Sequence, residues 1–217
     1  MSRRIVVVTA GLSEPSSTRL LADQLADATR AAVGGRGEEA QIDVIELREL
    51  AVEMAQTMVS GNRPTPGLVD AQRLVADADG MIAVTPVFTA SYSGLFKTFF
   101  DLLGKDALIG VPVLAAATAG TARHSLVLEH ALRPMLAYLR AVVVPTGVFA
   151  ATDDFGGDTG LDTRVHRAAS ELAALVVADT AGSAGFSPTT NDERSSAHGL
   201  EPVTDFSSLL RGHDGRG

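Results

Sequence analysis

Hydroxyl side chains crowd one short stretch of this chain, where Ser13, Ser16, Ser17 and Thr18 stand in the run AGLSEPSST between an apolar strand-like segment and a helix-like one. The first N–H groups of a helix have no intrahelical partner and the helix dipole is positive there, so such a junction suits a phosphate monoester. A single hydroxyl on Ser17 or Thr18 would satisfy the N-cap, and four exceed that need. Arg19 either adds a cation or points to solvent. The run is neither a Walker A loop nor a G-x-G-x-x-G fingerprint, which argues against a nucleoside triphosphate or a Rossmann dinucleotide. Two further stretches, PVFTASYSG (86–94) and TAGTARHS (118–125), are small and rich in backbone. Loops of this kind lie against a flat ring, and their amides can hydrogen-bond the polar edge of a heteroaromatic. A phosphate at one end and a planar ring at the other describe FMN in an open α/β cleft. No acid–base dyad, metal-spaced His/Asp/Glu set or nucleophile elbow is visible. Hydride transfer from a nicotinamide to a flavin needs positioning above all, so no catalytic side chain is expected.

These loops need a frame to bring them together, and the hydropathy pattern supplies one. Residues 4–9 and GMIAV (80–84) are continuous apolar runs, as buried parallel strands read. QIDVIEL (41–47) alternates as an edge-proximal strand, GVPVLAAAT (110–118) is a fourth strand, and AVVVPTGVFA (141–150) is a fifth, interrupted by Pro145. Helices are expected over 18–33, around Leu68–Ala71–Val75–Ala78, from the N-cap Ser93 through Leu103, over 122–139, and around Val165–Leu175. Residues 51–65, with Gly61 and Pro64 and followed by Pro66, read as irregular, and the third strand reads as breaking at Pro86. Alternating βα units predict a five-stranded parallel sheet with helices on both faces, in the flavodoxin-like order 2-1-3-4-5. Residues 1–180 form this domain. From 181 to 217 the chain is rich in Gly, Ser and charge and ends near DFSSLL (205–210), either a frayed terminus or an arm whose Phe206, Leu209 and Leu210 dock on a neighbouring subunit.

Composition agrees. The 217 residues are 46% hydrophobic and carry a net charge of −8, with no Lys/Arg stripe, which argues against nucleic acid. Cysteine is absent, so disulfides and thiolate chemistry are excluded. The apolar run near the N-terminus, IVVV (5–8), is too short for a membrane span or a signal peptide, and a cytoplasmic location without membrane attachment is expected.

The segment TPVFTASYSGLFKTFFDLL (85–103) resembles the P-x-Y-x-x-x-x-S-G-x-x-K-x-x-x-D flavin loop of NAD(P)H-dependent FMN reductases. It is similar above all to the reductase components of two-component alkanesulfonate and methanesulfonate monooxygenases, and the likeness continues through 107–150. The resemblance implies a flavodoxin-like fold, FMN and NADPH (or NADH) as cofactors, and delivery of reduced FMN to a partner FMN-dependent monooxygenase by a homodimer or homotetramer. It places Ser13, Ser16, Ser17, Thr18, Pro86, Val87, Phe88, Thr89, Ser93, Thr118, Ala119 and Gly120 around the flavin. Phe88 stands where these reductases often have Tyr, and Ala119 replaces a common Gly. Pro134 cannot donate to the carbonyl of His130, so a kink or π-bulge is expected there. His130 matches an inserted residue that in the resembling reductases forms a π-helix at the subunit interface. Two other readings share the fold: an NAD(P)H:quinone or azo reductase that keeps its FMN, and a flavodoxin-type electron carrier.

Overall fold

The computed structural model describes residues 2–61, 63–156 and 160–178. They fall within one compact unit, Met1–Ala181, and the tail expected from 181 onward lies outside the described residues.

A seven-stranded sheet forms the centre. The strands are β1 (Ser2–Thr9), β2 (Glu39–Glu46), β3 (Gly80–Phe88), β4 (Ser91–Tyr92), β5 (Pro112–Ala119), β6 (Val142–Val143) and β7 (Val148–Ala151). The main order is β2-β1-β3-β5-β6, with β7 also on β5 and β4 returning antiparallel to β3. The segments β6 and β7 pair in parallel with the two ends of β5 and together fill the fifth position. This is the flavodoxin-like order 2-1-3-4-5 expected from the sequence. Pro145 falls between β6 and β7, as its missing N–H requires. Side chains satisfy the backbone at that gap. Arg133 donates to the carbonyls of Val144 (3.2 Å) and Pro145 (3.0 Å), and Glu171 accepts from the N–H of Thr146 at 2.7 Å.

Helices cover both faces because the strands are apolar on both. One core joins Ile5, Val7, Ile82, Val84 and Leu114 to α1 (Ser17–Gly34) and α6 (Leu161–Ala178). The other joins Val6, Val8, Met81, Ala83 and Val113 to α2 (Ala51–Val59), α3 (Pro66–Ala76), α4 (Gly94–Asp101) and α5 (Arg133–Tyr138). Alternate residues of β1 thus feed opposite layers, as the strand period of two dictates. In α4, Phe96, Phe99 and Phe100 are buried, with the Phe96 and Phe100 ring centroids 4.6 Å apart.

Three expectations change. Residues 51–59 are helical, because Met54 and Thr57 bury one face while the breakers Gly61 and Pro64 fall just beyond. The third strand continues through Pro86 to Phe88: its ladder to β1 ends at Val84, so a proline is tolerated where only β5 and β4 are neighbours. The single helix expected over 122–139 is instead a 3-10 turn (Ala122–His124), a π-helix (Leu128–Leu132) and α5. Around His130 the N–H of Arg133 reaches back five residues to the carbonyl of Leu128. Pro134 then lies where the π-helix passes directly into α5, and its missing N–H forfeits the bond to the His130 carbonyl that an unbroken α-helix would make.

Candidate functional site

At the carboxyl ends of β1, β3, β5 and β7 the loops enclose a cleft of about 320 Å³. Its walls are Leu12, Ser13, Ser16, Ser17 and Thr18 from the first loop, Pro86, Val87 and Phe88 from β3, Thr118, Ala119 and Gly120 from β5, and Thr152 beyond β7. Ten of the twelve residues expected around the flavin line it; Thr89 and Ser93 do not. Both of those shape the wall from behind. Thr89 (φ 50°) and Ala90 (φ 66°) form the left-handed corner of the two-residue β3–β4 hairpin, a conformation costly for a β-branched residue. Ser93 is buried, its hydroxyl accepts from the N–H of Phe96 at 3.1 Å, and its own N–H donates to Thr85 Oγ1 at 3.0 Å. Its position is set by capping α4, as expected of the N-cap.

The first loop is held by contacts with defined roles. Gly11 lets it fold onto α1, since a Cβ there would lie 2.2 Å from Ser16 Oγ. Ser16, rather than Ser17 or Thr18, is the N-cap and accepts from the N–H of Arg19 at 3.2 Å. Thr18 Oγ1 meets Thr118 Oγ1 at 2.8 Å, a buried bond that ties the first loop to the end of β5. Ser13 and Ser17 have no side-chain hydrogen bond among the described residues and face the cleft. No acidic residue stands in the first turn of α1, so its N-terminal field is not cancelled.

Arg19 is not the cation the first loop suggested. Its guanidinium bonds Asp23 at 2.8 Å and also Glu46, and Asp23 foremost holds it above its ordinary value. Glu46 is shared with Arg48, which also pairs with Glu14 of the loop, and Glu14 foremost raises Arg48. Lys97 and Asp101 form an exposed pair on α4, with Nζ 2.7 Å from Oδ2, away from the cleft. His130 is exposed in the π-helix. Met54 is buried in the core, and Met58 on the same helix is exposed.

This geometry has a family counterpart. A model of the family described as "NADPH-dependent FMN reductase" matches residues 3–156, which include every loop of the cleft. The chain belongs to the NADPH-dependent FMN reductase family. It is an oxidoreductase that uses FMN and NAD(P)H. It is 36% identical over 178 residues to an FMN reductase (NADPH) of Pseudomonas aeruginosa, covering 79% of this chain and 91% of the relative. It is 39% identical over 175 residues to the NADH-dependent FMN reductase SfnE of Pseudomonas putida, covering 79% and 86%. The solved structure of an oxidoreductase from Corynebacterium diphtheriae is 53% identical, with a TM-score of 0.79, covering 82% of this reductase and 98% of that chain.

Two cleft residues escaped the sequence reading. Thr152 was legible in principle, because it follows the interrupted fifth strand on the same sheet edge as the other loops. Leu12 carried no signal, being an isolated apolar residue in a polar loop. Among the described residues no helix is long and apolar enough to cross a membrane.

Proposed function

We propose that this cleft binds FMN, that hydride from a nicotinamide dinucleotide reduces it there, and that reduced FMN then leaves for a separate FMN-dependent monooxygenase. The convergence of free hydroxyls and an uncancelled helix N-terminus with two small backbone-rich loops carries the reading. Bound FMN supplies the hydride-accepting ring. Ser13, Ser17 and the first N–H groups of α1 hold its phosphate, with Ser16 and Thr18 fixing the loop that presents them. Pro86, Val87 and Phe88 form one wall for the ring. Ala119 and Gly120 offer backbone on the other, and a Cβ at Gly120 would meet nothing within 4 Å. Thr89 and Ser93 act by positioning the hairpin. No general acid or base is required of the protein.

The affinity such a site offers suits a flavin that departs. With Arg19 committed to Asp23 and Glu46, neutral donors alone meet the phosphate, and Phe88 remains 47% exposed at the rim. The layer that carries the π-helix also exposes Val52, Val59, Leu126 and Tyr138, the last at 86%. A second copy covering this layer would bring His130 to a subunit interface, as a homodimer or homotetramer working in the cytoplasm. There the wider π-turn loosens flavin binding, because its backbone register is less well packed than an α-helix.

Steady-state NADPH oxidation with increasing free FMN tests the proposal. The expected result is nearly colourless purified protein with saturable, FMN-dependent turnover. A firmly yellow protein that turns over only with an added quinone would replace this reading with the retained-flavin reductase. Failure to oxidise either dinucleotide would leave an electron carrier.

A further inference from the structure

The loop from Thr118 to Ser125 borders two cavities. Thr118, Ala119 and Gly120 line the cleft, and Ala122 and Ser125 line a neighbouring cavity of about 330 Å³ with Leu128, Phe149, Asp154 and Arg164. Arg123 lies on the bridge between them. Its N–H donates to Thr121 Oγ1 at 3.3 Å, which fixes the 3-10 turn, and its side chain is exposed.

Arginines elsewhere around this sheet edge are engaged. Arg19 pairs with Asp23 and Glu46, and Arg48 with Glu14 and Glu46. Arg164 reaches Asp154 at 3.6 Å, and Arg133 holds Glu129 and two backbone carbonyls. Arg123 has no carboxylate or carbonyl partner for its guanidinium among the described residues. A nicotinamide placed on a ring in the first cavity must send its adenosine end into adjoining space. The second cavity has an apolar floor in Leu128 and Phe149 and polar walls in Ser125 and Asp154, as an adenosine requires. A dianionic phosphate approaching a protein of net charge −8 also needs an uncommitted local cation, best a planar guanidinium. Relatives are named for NADPH and for NADH, so membership of the family does not fix the choice.

We propose that the second cavity receives the adenosine end of the dinucleotide and that Arg123 binds its 2′-phosphate, making Arg123 the residue that selects NADPH. The inference rests on the FMN-reductase reading of the first cavity. Two measurements on the full-length protein test it. In steady state with saturating FMN, Arg123→Ala is expected to lower the NADPH-to-NADH ratio of kcat/KM by about 10- to 100-fold, through KM for NADPH, with Arg123→Lys recovering part of it. By calorimetry on flavin-free protein, adenosine 2′,5′-bisphosphate is expected to bind at least about tenfold more tightly than adenosine 5′-phosphate, and equally in Arg123→Ala. A wild-type preference for NADH, an unchanged ratio, or an equal loss for both dinucleotides would overturn the assignment and leave the reductase reading intact. No FMN-dependent oxidation of either dinucleotide by the wild type would overturn both.

Discussion

Two strand-to-helix junctions meet at the cleft and are built in opposite ways. From β1 the chain enters α1 through a loop that is anchored by internal polar contacts and leaves only Ser13 and Ser17 facing the cleft without a side-chain partner among the described residues. Ser16 caps the helix, Thr18 reaches Thr118, and Glu14 joins the Arg48–Glu46–Arg19–Asp23 network. The helix that follows runs 18 residues without a break. From β5 the chain passes through a 3-10 turn, a π-helix and a six-residue α-helix, leaving Arg123 and His130 exposed. The contrast teaches a division of labour. On the function proposed above, fixed donors at the first junction would hold the flavin phosphate, and the second junction, with its π-register and unspent charge, would serve the exchange of dinucleotide and flavin.

The first junction depends most directly on Gly11. Gly11→Val places carbon 2.2 Å from Ser16 Oγ, and either the cap or the loop must yield. The expected cost is about 1–3 kcal/mol in denaturant unfolding, with FMN affinity falling at least about tenfold in a fluorescence titration. Retained affinity would mean that the first junction is not preorganised.

Thr118→Val removes the partner of a hydroxyl that stays buried, and should cost about 1–2 kcal/mol of stability. The double variant Thr18→Val, Thr118→Val should recover part of this loss, because no unpaired hydroxyl remains. A strictly additive double-mutant cycle would show that the 2.8 Å bond does not couple the loops.

On the other junction, Pro134→Ala restores an N–H where the π-helix passes into α5, facing carbonyls of the preceding turn. The net contribution of one regained hydrogen bond limits the gain in stability to about 1 kcal/mol. Flavin exchange is the sharper readout: stopped-flow dissociation of FMN should slow if the regained donor lets this segment relax toward α-helix. Unchanged dissociation would remove His130 and its π-turn from the account of flavin release.

The smallest effect is expected at Glu129, whose carboxyl the Arg133 guanidinium holds below its ordinary 4.5. Because the folded-state value is depressed, this contribution is present above the ordinary value and fades as pH falls through the folded one. Glu129→Gln should cost a few tenths of a kcal/mol at neutral pH, discounted for solvent screening, and nothing once Glu129 of the wild type is protonated. Thermal unfolding at pH 7 and near pH 3 separates the two regimes.

Much of this was legible in the chain itself because it depends on local composition. Residues 5–8 and 80–84 announced buried strands by their lack of alternation, Ser93 announced its cap, and Pro145 announced the break in the fifth strand. Helix α2 was missed because Gly61, Pro64 and Pro66 cluster so close after it that its short amphipathic face was outweighed. The proline at 134 announced a deformation without fixing its form. The π-register was settled by which carbonyl the N–H of Arg133 could reach once the helix packed against the sheet.

What the sequence determined is the set of elements and the small, hydroxyl-rich character of the loops, since periodicity and turn chemistry act over a few residues. Which hydroxyls remain free was decided only by tertiary structure. Thr18 is spent on a residue 100 positions away, and Arg19 is drawn off by Glu46 from the neighbouring strand. Hydrogen bonds and ion pairs between distant segments follow from how the sheet brings them together, and no local pattern records them.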